Sequence, residues 1–130
     1  MARVSVEVPA ELVEPVRETV LMLYEVSAES LHLALKHRAL AEARLHQARV
    51  DELDDLVRQL RGTERPLGLA APRDLLHDTL YGALIDAGER LAETSNRCWR
   101  GELPAGRVQE AAEEVLALDA LLRGLDESSP

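Results

Sequence analysis

Aromatic residues are nearly missing: one Trp, two Tyr and no Phe make up 2% of 130 residues. A core without them must be filled by Leu, Ala and Val. Leu and Ala are strong helix formers, and a two-sheet sandwich draws more heavily on aromatic and β-branched side chains, so an all-α class is favoured at the outset. Cysteine is as scarce. Cys98 stands alone, which excludes an intramolecular disulfide framework and any zinc site built from several thiolates, and fits a reducing compartment. Lys36 is the single lysine beside fourteen arginines, a bias that reflects genomic base composition rather than function. No apolar run is long enough to span a bilayer, and no basic start leads into an apolar run with a cleavage site. A soluble, cytoplasmic protein with no membrane partner is therefore expected.

The net charge is −9 with a pI near 4.9, and the excess sits at the ends. Residues 1–30 carry Arg3 and Arg17 against six Glu, and residues 101–130 carry two Arg against seven acids. Such a chain repels phosphate backbones overall, which disfavours nucleic acid as a partner. Residues 31–73 are mildly basic, with eight Lys and Arg against six acids, so a local anion site stays open there. The length suits one domain with a real core.

What is present is helical periodicity. Residues 27–62 hold no proline, and no glycine before Gly62. Leu31, Leu35, Ala39, Leu45, Leu53, Leu56 and Leu60 recur near the helical period, with Ser27 or Ser30 as the cap, Arg58 and Arg61 in the last turn and Gly62 as terminator. One helix of roughly 50 Å follows. That exceeds what a compact domain of this length needs, so part of it is expected to pack on a partner chain or a neighbouring helix.

The remaining segments fall around it. Residues 1–9 read as an extended arm in which Val4, Val6 and Val8 share one face and Arg3, Ser5 and Glu7 the other, a strand that must pair with its copy, lie as an arm or fray. Residues 10–26 form a helix on Leu12, Val13, Val16, Val20, Leu23 and Tyr24, its regular part starting near Glu14 or Pro15, with a break expected near Ser27. The stretch 63–73, rich in proline and glycine, is the linker, tacked down by Leu67 and Leu69. Asp74 caps a helix over 74–100 with Leu76, Leu80, Ala83 or Leu84, Ala87, Leu91 and Cys98 inward, where Gly82 and Gly88 mark close approach of another helix. After a turn at 101–106, a helix over 105–125 carries the seam Val108, Ala111, Val115, Leu118, Leu122 and Leu125. Residues 126–130 are a polar tail.

Chemistry-bearing clusters are sparse. Glu29 with His32 and Asp74 with His77 each set a carboxylate and an imidazole on one helix face, the spacing of the Glu-x-x-His element in di-iron helical proteins. They are the candidate metal ligands, with Glu18, Glu25, Glu113 and Glu114 as the only further donors, but residues on a solvated face account for the same spacing. His37 and His46 lie among Lys36, Arg38, Arg44 and Arg49, a basic stretch able to hold an anion or an acidic partner, including the acidic ends of this chain. Cys98 beside Arg97, Trp99 and Arg100 reads as a core thiol on a helical stripe rather than a reactive one. Thr94, Ser95 and Asn96 are poor helix formers inside a helix, a local inconsistency that marks a polar contact, a binding surface or a fraying end.

The strand Arg3 to Val8, Pro9, and the Val26 to Leu31 segment resemble the ribbon-helix-helix family of dimeric DNA-binding regulators over residues 3–42. The resemblance implies that strands of two chains pair and that Arg3, Ser5 and Glu7 face the major groove. It departs from the family in having no glycine at the turn, an acid on the DNA face and a second helix that is too long. The expectation is an all-α bundle of three or four helices with one long central helix and a short extended N-terminal arm. It is expected to form a homodimer and to act, without cofactor or catalysis, as an oligomerisation or protein-interaction module. The alternatives are the DNA-binding regulator and a carboxylate/His metal-binding bundle.

Overall fold

The computed structural model describes residues 3–61 and 66–127. It is mostly helical (80%), with four helices and a small two-stranded sheet, and it divides into two compact units, Met1–Pro72 and Arg73–Pro130. Expectations for Met1 and Ala2, for the terminator Gly62 and the linker start at Thr63, and for residues 128–130 lie outside the described residues.

The first unit runs β1 (Arg3–Val8), α1 (Ala10–Lys36), α2 (Leu40–Leu60) and β2 (Leu67–Pro72). The valine alternation does make a strand, but its partner is in the same chain: β1 pairs antiparallel with β2, Ser5 opposite Ala70 and Val6 opposite Leu69. Half of the expected linker is thus a strand, with Leu69 and Ala71 buried and Leu67 half-buried. The core consists of Leu12, Val13, Val16 and Val20 of α1, Leu53, Leu56 and Leu60 of α2, Val8, Leu69 and Ala71. Arg17 on α1 donates from Nε and Nη2 to the Leu60 carbonyl at 3.2 and 2.7 Å, satisfying a carbonyl that the end of α2 leaves without a helical partner.

The helix expected over 27–62 is two helices, and the break lies ten residues beyond the one expected at Ser27. Ser27 and Ser30 are interior residues of α1 and cap nothing. The chain reverses at His37 to Ala39 through a Schellman motif: the Ala39 N–H donates to the Ala34 carbonyl at 2.9 Å and the Arg38 N–H to that of Leu35 at 3.1 Å. Arg38 occupies the left-handed position at φ 56°, where glycine is usual. Leu35 and Leu45, placed by periodicity on one buried stripe, are exposed, because the turn resets the helical phase between them. At this end Ala34 and Ala43 are the buried residues. α1 starts at Ala10, as expected, but is already regular there, with Pro15 inside it rather than at its first turn. The buried Thr19 hydroxyl donates to the Pro15 carbonyl at 3.1 Å.

The second unit is a helical hairpin of α3 (Arg73–Trp99) and α4 (Gly106–Glu127). Asp74 lies in the first turn of α3 rather than at its cap. Leu76, Leu80, Ala83 and Ala87 are buried as expected, as are Leu118, Leu122 and Leu125, while Leu91, Val108, Ala111 and Val115 are half-buried. Asp126 and Glu127, expected in the tail, are helical. The turn at Gly101 is the same Schellman motif, with Glu102 N–H on the Arg97 carbonyl and Gly101 N–H on that of Cys98, and glycine now supplies the positive φ, 79°. Arg73 clips the open end by donating to the carbonyls of Leu125 and, at 3.4 Å, Asp126. Gly88 marks no close approach, since a Cβ there would meet nothing within 4 Å.

Candidate functional site

A two-stranded sheet has two outer edges, and here they differ. Ala70 sits in the middle of β2, and its N–H and C=O are both taken by the Gln59 side chain of α2, each at 2.9 Å. Those groups therefore point away from β1. With the alternation of an antiparallel ladder, so do those of Gly68 and Pro72, and Pro72 has no N–H to offer. Arg3 Nη2 adds a bond to the Ala70 carbonyl at 3.1 Å. This edge is closed by side chains and a proline, as strand edges in proteins commonly are.

The outer edge of β1 is open. The register pairs Ser5 with Ala70, so the N–H and C=O groups of Arg3, Ser5 and Glu7 also point outward, and among the described residues no strand pairs with them. The side chains of Arg3, Ser5 and Glu7 are exposed, and Val4 and Val6 on the other face are only half-buried whereas Val8 is fully buried. Arg3 also binds Glu52 at 2.8 Å and Asp55 at 3.1 Å. The hydrogen bond with Glu52, and then the charges of Glu52 and Asp55, raise its guanidinium above the usual arginine value. Of the residues that the DNA-binding resemblance singled out, Arg3 is thus engaged by carboxylates of its own chain, while Ser5 lies at the centre of the open edge and Glu7 is exposed beside it.

The α1–α2 turn carries the basic stretch Lys36, His37, Arg38, Arg44, His46 and Arg49 beside exposed apolar side chains, Leu33, Leu35, Leu40 and Leu45, the last 73% exposed.

In the second unit, α3 and α4 enclose a cleft of about 370 Å³. Its lining joins the apolar Ala87, Leu103 and Ala111 to Arg90, Arg97, Arg107, Glu110 and Glu114, with Thr94 between the α3 arginines in sequence. Arg90 and Glu114 form a close ion pair across the helices. Arg97 stands 3.5 Å from Glu102 and Arg107 3.9 Å from Glu110, longer than a charge-assisted hydrogen bond. Sequence reasoning named Arg97 only as a neighbour of Cys98 and missed Arg90 and Arg107, whose convergence depends on the hairpin register. The Thr94 to Asn96 inconsistency was the one local signal, and Thr94 does line the cleft.

The metal candidates do not form a cluster within either unit. Glu29 and His32 are exposed on α1, in one unit, and Asp74 and His77 lie on α3, in the other. His77 stacks on Tyr81 with ring centroids 6.0 Å apart and has Asp78 and Asp126 each 3.9 Å from a ring nitrogen. Among the described residues no three His, Cys, Asp or Glu side chains gather to hold a metal ion. Cys98 is half-buried, its Sγ 3.3 Å from the Pro104 carbonyl, and Trp99 beside it is 89% exposed. No helix among the described residues is long and apolar enough to cross a membrane. Compared with protein-family models, with curated proteins and with solved structures, the chain matches none.

Proposed function

We propose that the chain is a non-enzymatic oligomerisation module, a homodimer joined along the outer edge of β1. The observation that carries this reading is the asymmetry of the sheet: Gln59 and Pro72 close β2, while β1 presents a free edge whose sequence is complementary to itself. An antiparallel pairing of two β1 strands centred on Ser5 sets Arg3 across from Glu7 of the second copy and Glu7 across from its Arg3. On the other face it sets Val4 across from Val6, covering the valines that the single chain leaves half-buried. The outward groups of residues 3, 5 and 7 are then the ones that meet, so each facing pair exchanges two hydrogen bonds. The β-branched cross-strand pairs add to the ladder, Arg3 keeps its own ion pairs with Glu52 and Asp55, and the contact is isologous, as a two-fold dimer requires.

The dimer would carry two copies of the leucine-rich α1–α2 turn, which suits an accessory or regulatory subunit that holds another protein. Sedimentation equilibrium tests the core of the reading. The expected result is a dimer at about 10 μM and a monomer for Ser5→Pro, with helicity unchanged, because the proline removes an N–H that the chain itself does not use. A monomeric wild type, or a dimer that tolerates Ser5→Pro, overturns it.

A further inference from the structure

We propose that the cleft between α3 and α4 binds a small organic anion with an apolar body, of the phosphomonoester type. The charge distribution of the second unit converges on this cleft. Residues 73–130 carry six arginines and twelve acids, yet three of those arginines, Arg90, Arg97 and Arg107, line this one cleft, where only two carboxylates join them. Glu114 is committed to Arg90, whose close pair forms one wall. Arg97 and Arg107 hold their glutamates only at 3.5 and 3.9 Å, with side chains 46% and 62% exposed. Solvent screens such pairs heavily, so both guanidiniums can turn to a ligand at little cost, and a forked guanidinium matches the oxygens of a phosphate.

The helices that border the cleft carry a conflict that an anion resolves. α4 has no acid in its first turn and carries Arg107 there instead, a cation at the positive end of a helix. On the facing helix, the poor helix former Thr94 lines the same cleft, with Ser95 and Asn96 next to it in sequence. Neither choice favours the helices themselves, and both favour a bound anion, with Arg107 and the Thr94 hydroxyl as donors.

The size and the apolar lining of the cleft suit a small molecule. About 370 Å³ lies within the range of small-molecule sites, and Ala87, Leu103 and Ala111 supply an apolar part of the lining. A bare phosphate leaves those apolar side chains uncovered, so a ring or short alkyl chain attached to the phosphate binds more tightly.

Calorimetric titration of the full chain at constant ionic strength tests this with three probes: phenyl phosphate, inorganic phosphate and phenol. The expected result is one site for phenyl phosphate with a Kd of about 1 mM or tighter and at least ~5-fold weaker binding of the other two. Arg97→Gln with Arg107→Gln should weaken phenyl phosphate ~10-fold or more, while Arg123→Gln, whose ion pair with Asp119 is elsewhere on α4, should change nothing. Both variants alter exposed side chains, and circular dichroism confirms that they fold. Three results overturn the proposal: no saturable binding, equal binding by the double variant, or equal affinity for inorganic and phenyl phosphate.

Discussion

Replacing Gln59 by alanine opens the outer edge of β2 without touching the apolar core. The side chain donates to the Ala70 carbonyl and accepts from the Ala70 N–H, each at 2.9 Å, and also reaches Asp55 at 2.9 Å. A net hydrogen bond is worth about 0.5–1.5 kcal/mol, so losing the two to Ala70 costs about 1–3 kcal/mol. The Arg3 bond keeps the Ala70 carbonyl partnered, and alanine's higher helix propensity returns a few tenths of a kcal/mol, which brings the expected loss to about 1–2 kcal/mol. Urea unfolding measures the total. Amide hydrogen exchange is more specific: Ala70 should exchange at least ~10-fold faster in Gln59→Ala, since 1.4 kcal/mol is a factor of ten. Gln47→Ala is the control. Gln47 also bonds a carboxylate four residues on, Asp51 at 2.9 Å, but without a strand to close its loss should stay within about 0.5 kcal/mol. If Gln59→Ala behaves like Gln47→Ala and leaves Ala70 protected, the β2 edge is not closed by this side chain and the asymmetry behind the dimer reading fails.

Gly88→Ala should stabilise the second unit by about 1 kcal/mol, read from thermal unfolding, because an added Cβ meets nothing within 4 Å; destabilisation would mean that α3 carries a neighbour there. Arg38→Gly should be neutral or stabilise by up to about 1 kcal/mol, since it relieves a left-handed arginine while adding freedom to the unfolded chain. A loss of more than about 1 kcal/mol on urea unfolding would show that the Arg38 side chain itself holds the turn.

The two hairpin turns show how far sequence carries and where it stops. Both reverse through the same hydrogen-bond pattern, and the one at Gly101 was legible because glycine sits at the left-handed position. The one at Arg38 was hidden, since arginine there gives no local signal and the flanking residues sustain a helical period through it. Ala34 and Ala43 at its base look like ordinary helix formers, so the break was placed at Ser27, where a cap residue exists but no cap forms. The sheet follows the same logic. Valine alternation revealed β1, whereas Leu67 to Pro72 has glycine, alanine and proline where strands favour bulky residues, so Leu67 and Leu69 read only as anchors of a linker. The closing of its edge by Gln59, eleven residues from Ala70, is a tertiary fact with no sequence signature. In the second unit the apolar seams of both helices were readable from period alone. The gathering of Arg90, Arg97 and Arg107 was not, because it requires knowing how α3 and α4 are offset.

Ser5→Cys combined with Cys98→Ser makes position 5 the only thiol in the chain, and its cross-linking tests the dimer most directly. In a β1 pairing centred on residue 5 the two Cα atoms stand about 5.5 Å apart, within the span a disulfide bridges. Mild oxidation at micromolar protein should therefore convert most of the variant to a covalent dimer, while the same thiol placed at the exposed Glu11 of α1 should give little. A Ser5→Cys variant that stays monomeric on oxidation, or cross-links no faster than the Glu11→Cys control, would contradict pairing through β1.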